Sequence, residues 1–132
     1  MKFHHIGIAT KDIDKTLDWV RNQFDVVSVS NEVYDKNQDA YLRMIETNDV
    51  NIELVSGNVV EKFIEKNITY YHICYEVDDL DKSIAEFQQS IVISKPTKAI
   101  LFNNRRVAFI MTPIGIIELL ESREQLDENR VG

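Results

Sequence analysis

The sequence predicts an α+β protein built from two tandem βαβββ modules, and three observations carry that expectation. The chain repeats itself: His5-Ile6-Gly7-Ile8 followed by Asp12-Ile13-Asp14-Lys15 recurs as His72-Ile73-Cys74-Tyr75 followed by Asp79-Leu80-Asp81-Lys82, at a constant offset of 67 from His5 to His72. A second echo relates Asn51-Ile52-Glu53-Leu54 to Ile116-Ile117-Glu118-Leu119, at an offset of 65 from Glu53 to Glu118. In each half the apolar periodicity also runs through one order, first alternating, then helical, then alternating again.

Residues 2–9 alternate and are rich in branched side chains, which predicts a strand. Asp12 is placed to cap a helix running to about Phe24, with Ile13, Leu17, Val20 and Phe24 on one face. Strands are expected near 26–34, 40–46 and 50–56. Gly57-Asn58 then breaks the pattern, and 59–66 suits a short connecting helix with Val60, Phe63 and Ile64 inward. The second half repeats the plan. Residues 70–77 form a strand, and Asp79 caps a helix whose stripe is Leu80, Ile84, Phe87 and Ile91. Pro96 should end a short extended piece, and strands are expected near 99–102, 106–111 and 115–120, with turns at Asn103-Asn104 and Pro113-Ile114-Gly115. The expected boundaries are module one at 1–57, a linker helix at 58–67, module two at 68–121 and a polar tail at 122–132.

Composition excludes several classes of function. Hydrophobic residues make up 44% of 132, enough for an ordinary core, and no apolar run approaches the ~20 residues of a membrane span. A net charge of −7 argues against nucleic acid as a partner. The single cysteine, Cys74, excludes an internal disulfide and fits a reducing compartment. The N-terminal residues lack a signal-peptide pattern, so a cytoplasmic location is expected.

Strand alternation assigns directions to the repeated residues. Ile6 and Ile8 should face the helix, leaving His5 on the other side with Gly7. Tyr71, Ile73, Tyr75 and Val77 should face theirs, leaving His72 opposite with Cys74 and Glu76. Glu53, between Asn51 and Val55 on its face, and Glu118, between Ile116 and Leu120, are carboxylates on apolar strands. Such burial is costly unless a cation compensates it. One strand histidine alone is more often a hydrogen-bonded core residue than a ligand. His4 fits that ordinary case, because it has no counterpart at the repeat offset. Two histidines and two glutamates at repeat-related positions are instead what a divalent-metal site across a pseudo-two-fold axis requires. Lys95, Lys98, Arg105 and Arg106 cluster in sequence, and Arg105 and Arg106 are the best candidates for binding an anionic group of a substrate.

These motifs resemble the vicinal oxygen chelate (VOC) superfamily, of glyoxalase/bleomycin resistance/dioxygenase-like fold. The resemblance spans about residues 3–121. It rests on His5-Ile6-Gly7-Ile8-Ala9, on Tyr71-His72-Ile73-Cys74-Tyr75-Glu76-Val77-Asp78-Asp79, and on Arg106-Val107-Ala108-Phe109 with Ile116-Ile117-Glu118-Leu119-Leu120-Glu121. It implies a cupped mixed sheet around a metal held by His5, Glu53, His72 and Glu118. That set is similar to bacterial glyoxalase I (lactoylglutathione lyase) of the nickel or cobalt class, with zinc and manganese as further options. The implied activity is a metal-dependent lyase or isomerase that removes a proton next to a carbonyl through a metal-bound enediolate or enolate, with Glu118 and Glu53 as catalytic groups. The implied partners are a small-molecule substrate, either a thiol adduct of a 2-oxoaldehyde or an acyl-CoA, and a second copy in a homodimer.

Two alternatives stand beside that activity. One is a methylmalonyl-CoA epimerase-like acyl-CoA racemase. Epimerases carry a further catalytic glutamate at the position occupied here by Leu42, with Arg43 beside it and Glu32 and Glu46 close by. The other is a metal-free small-molecule-binding or resistance protein on the same fold.

Overall fold

A computed structural model describes residues 1–123. The chain forms two compact units, one of His5–Tyr71 and one of Met1–His4 together with the chain from His72 on. Among the described residues there are nine strands and three α-helices, and no helix is long and apolar enough to cross a membrane.

In the first unit, β1 (Lys2–Ala9) contributes its second half. Helix α1 (Ile13–Gln23) follows, capped by the Asp12 carboxylate, which accepts a hydrogen bond from the Lys15 N–H at 3.1 Å. Such a cap is worth about 1 kcal/mol. Strands β2 (Val26–Val29), β3 (Val33–Asp35), β4 (Ala40–Thr47) and β5 (Ile52–Gly57) complete the sheet. The strand order is β2-β4-β5-β1, with β3 also on β4. The strand expected over 26–34 is therefore broken in two around Ser30, whose hydroxyl accepts from the Met44 N–H. Ile13, Leu17 and Val20 pack with Ile45, Ile52 and Leu54 as the core, flanked by Ile6 and Ile8. Phe24 leaves that stripe. It ends the helix in extended conformation and is 40% exposed. A 3-10 turn (Asn58–Val60) and α2 (Glu61–Glu65) form the connection, with Val60 buried.

The second unit repeats this plan with β6 (Tyr70–Val77), α3 (Leu80–Glu86), β7 (Ile91–Lys98), β8 (Arg106–Thr112) and β9 (Gly115–Glu121). Its order is β6-β9-β8-β7. Asp79 caps α3 as Asp12 caps α1, accepting from the Lys82 N–H at 3.1 Å. Leu80 packs with Val77, Ala108, Ile110, Ile117 and Leu119, flanked by Ile84 and Phe87. The first residues of the chain side with this unit: the Phe3 ring meets Tyr75 edge-on at 6.0 Å.

Three expectations fail here. Helix α3 stops at Glu86, so Ile91 lies on β7 rather than on a helical stripe. Strand β7 runs through Pro96, which is tolerated because β7 ends the strand order and its outer N–H groups need no ladder partner. The predicted strand at 99–102 is a 3-10 turn (Ile100–Phe102) leading into Asn103 and Asn104, both left-handed. Of the polar tail, Ser122 is buried and its N–H donates to the Val77 carbonyl; the residues after Arg123 lie outside those described.

Candidate functional site

Each unit brings one histidine and one glutamate together on the sheet face opposite its helix. In the first, β1 and β5 run parallel with Gly7 opposite Glu53, and β4 runs antiparallel with Met44 opposite Glu53. Ile52 and Leu54 pack on α1, so alternation sends Glu53 to the far face. There its Oε1 lies 3.7 Å from Nε2 of His5, with side-chain exposures of 3% and 0%.

The second unit reproduces this register residue for residue. Cys74 on β6 lies opposite Glu118, and so does Phe109 on β8. Glu118 Oε1 is 3.2 Å from His72 Nε2, with side-chain exposures of 2% and 0%. Small residues, Gly7 and Cys74, adjoin both glutamates. The third neighbour differs: Met44 is partly buried, whereas Phe109 is buried with its ring edge-on to His72 at 5.4 Å and 84°. Phe109 and Met44 are related by the same offset of 65 that relates the glutamates. That extension of the echo onto the neighbouring strand was available in the sequence.

The two adjacent arginines, Arg105 just before β8 and Arg106 at its start, do not make one patch, because they engage different carboxylates. Arg105 is buried, its Nε donates to the Glu121 carbonyl at 2.8 Å, and its guanidinium lies 3.4 Å from Glu76. Arg106 points to the α3 side, where it bonds Glu121 at 3.0 Å and Asp81 at 3.1 Å. Burial lowers the proton affinity of Arg106, yet Glu121 and Asp81 outweigh that and hold it above its ordinary value. The buried Glu121 carboxylate thus ties β9 to the start of β8 and, through Arg106, to α3. His4 sits beside Glu76 at 3.8 Å, edge-on to Phe102. Leu42, opposite Val55 on the face of Glu53, is buried at 2%. Glu46 is exposed and accepts from the Ser28 hydroxyl at 2.8 Å.

Residues 4–109 match the model of the Glyoxalase/Bleomycin resistance protein/Dioxygenase superfamily. The chain belongs to that superfamily. Within this glyoxalase/bleomycin resistance/dioxygenase group, it is 27% identical over 116 residues to the mitochondrial methylmalonyl-CoA epimerase of Dictyostelium discoideum, an alignment spanning 83% of this chain and 69% of that one. The methylmalonyl-CoA epimerase structure from Mycobacterium tuberculosis has the same fold, with a TM-score of 0.78 at 21% identity over 96% of this chain and 91% of that one. A hypothetical protein from Bacillus halodurans C-125 superposes with a TM-score of 0.71 at 25% identity, covering 94% and 96%.

Proposed function

We propose that the protein is a divalent-metal-dependent isomerase acting on the carbon next to the carbonyl of an acyl-CoA thioester, in the manner of a methylmalonyl-CoA epimerase. The observation that carries this is the pair of buried His/Glu sets at repeat- and register-equivalent positions. The sequence similarity to the Dictyostelium epimerase favours a thioester as substrate.

His5, Glu53, His72 and Glu118 would together hold the cation. Their chemistry fits such a role. Two neutral imidazoles and two carboxylates balance a 2+ charge, and nitrogen and oxygen donors suit nickel, cobalt, zinc or manganese. Two carboxylates buried against apolar strands are also costly unless a cation offsets their charge. When bound, the ion supplies Lewis-acid stabilisation of the negative charge that develops on the carbonyl oxygen.

We assign Glu118 as the base. Its carboxylate takes the proton from the substrate carbon, and the C–H electron pair moves into the carbonyl. Glu53, the carboxyl of the other module, takes up a proton from solvent as substrate binds and returns it to the opposite face of the carbon to complete inversion. Glu118 is then protonated and Glu53 ionised, and the next turnover runs the roles in reverse. The apolar wall of Phe109 and Leu120 limits water around Glu118. Arg105, immediately before β8, is the candidate contact for an anionic group of the substrate.

One observation supports a second function, a glyoxalase I-like lyase. Leu42 stands where the epimerase resemblance calls for a further glutamate. Deuterium exchange separates the two. Metal-loaded protein in heavy water should wash deuterium into the 2-position of methylmalonyl-CoA, followed by proton NMR. Exchange absent there, with turnover of the methylglyoxal–glutathione hemithioacetal instead, would replace the epimerase by the lyase. Absence of both, in protein that takes up no nickel, cobalt, zinc or manganese, would remove the enzymatic function.

A further inference from the structure

We infer that the acyl group of the substrate carries an alkyl branch longer than methyl on its reacting carbon, and that this branch lies on a strip formed by Ile91, Met111 and Ile116. The inference rests on the proposed proton abstraction at Glu118.

On the face that carries His72 and Glu118, the strands β7, β8 and β9 place these residues in one row. Met111 is opposite both Ile116 and Ile91, while the preceding pair on this face of β8 and β9 is Phe109 with Glu118. The strip therefore begins two residues beyond the glutamate, about 7 Å along the strands. Exposure rises outward along it. Phe109 is buried beside His72, Ile116 is half-buried, and Met111 and Ile91 are 42% and 71% exposed. An apolar surface that grades from a reactive carboxylate to solvent has the character of a ligand subsite, in which apolar lining supplies most of the affinity.

The first module shows that the fold does not require this. At the matching offset of 65 it places Glu46 for Met111 and Asn51 for Ile116, and Ser28 on the edge strand hydrogen-bonds Glu46 at 2.8 Å. That end of the sheet is an ordinary solvated surface. In module two the matching positions carry Met111 and Ile116, with Ile91 beside them on the edge strand, and this apolar row stays open to water as an interaction site does. A chain leaving the reacting carbon along β8 meets Phe109 first and Met111 with Ile116 next. A methyl branch ends at Phe109. Only a longer one reaches the strip, so Met111 is the residue that selects branch length.

The test is calorimetric binding of 2-methyl-, 2-propyl- and 2-pentylmalonyl-CoA to the metal-loaded wild type, to Met111→Glu, which installs the module-one residue, and to Met111→Leu. The wild type should tighten about 4-fold per added methylene. That slope should vanish in Met111→Glu and persist in Met111→Leu, with methylmalonyl-CoA bound equally by all three. A flat wild-type series, or an unchanged slope in Met111→Glu, overturns the inference. So does conversion of a dimer to monomers by Met111→Glu with the slope intact, which would make the strip an interface between copies. Deuterium exchange on the same thioesters keeps the two claims apart. Exchange without a slope leaves the isomerase standing and removes the strip. A slope without exchange keeps the strip as a binding site and removes the isomerase, and no binding of any thioester removes both.

Discussion

Replacing Glu118 by Gln should make the metal-free protein more stable and the metal-loaded protein less so. The substitution keeps the shape and removes one charge from a side chain that is 2% exposed and surrounded by Cys74, Phe109 and His72. Without a cation, two buried carboxylates, Glu53 and Glu118, lie beside their histidines at 3.7 and 3.2 Å, in surroundings that offer their charge no bulk water. Trading one charge for a neutral amide should therefore gain about 1–2 kcal/mol, less than the several kcal/mol of an isolated buried ion, because the amide still needs partners. For a chain of 132 residues that is an increase in Tm of roughly 4–8 °C.

With metal at 100 times its Kd, the wild type gains about 2.7 kcal/mol from binding. If losing one of four ligands weakens affinity by about 100-fold, the variant at the same concentration gains only about 0.4 kcal/mol. The resulting gap of about 2.3 kcal/mol exceeds the metal-free advantage, so the order of stability reverses on adding nickel or cobalt. Urea unfolding followed by circular dichroism, in chelator and in excess metal, reads both numbers. A metal-free variant more than about 1 kcal/mol below wild type, or one that gains as much from metal as wild type does, refutes the reasoning.

Glu121→Ala should destabilise the fold by about 2–3 kcal/mol, below the 3–5 typical of a broken buried pair because Arg106 is 31% exposed and keeps Asp81. A double-mutant cycle with Arg106→Ala that finds no coupling would dismiss the staple. Tyr34 donates to Asp39 at 2.5 Å, and that bond raises its proton affinity above the ordinary 10.0. Any stability it contributes is present below the unfolded value and lost as pH rises through the folded one. Ultraviolet titration should show one tyrosine moving to lower pH in Asp39→Asn, and an unmoved curve counts against the bond. Gly57→Ala should cost about 1–3 kcal/mol, because φ is +113° and a Cβ there would sit 2.9 Å from the Asp39 carbonyl oxygen; an unchanged unfolding midpoint would contradict it.

Much of this was legible in the chain because an internal repeat constrains a sequence twice. The offsets of 67 and 65 mark His5, His72, Glu53 and Glu118, and strand alternation turns them away from the helices. Both capping aspartates and the Ile13, Leu17 and Val20 stripe follow from local rules of side-chain reach and period. Those rules fail where neighbours decide. Phe24, Ile91 and Pro96 fit local patterns that helix termination and the free edge of β7 override.

The sequence by itself determined the repeated order of elements, the four candidate metal-binding residues and the face each takes, because these depend on period and repetition along one chain. Tertiary structure alone decided what lies across the strands. Register between strands is a non-local quantity, and it sets Met44 beside Glu53 but Phe109 beside Glu118. It also engages Arg105 and Arg106 with carboxylates distant in sequence, and aligns Ile91, Met111 and Ile116 into an exposed apolar row. No periodicity within a single strand contains that information, since it arises only when hydrogen bonding fixes one strand against the next.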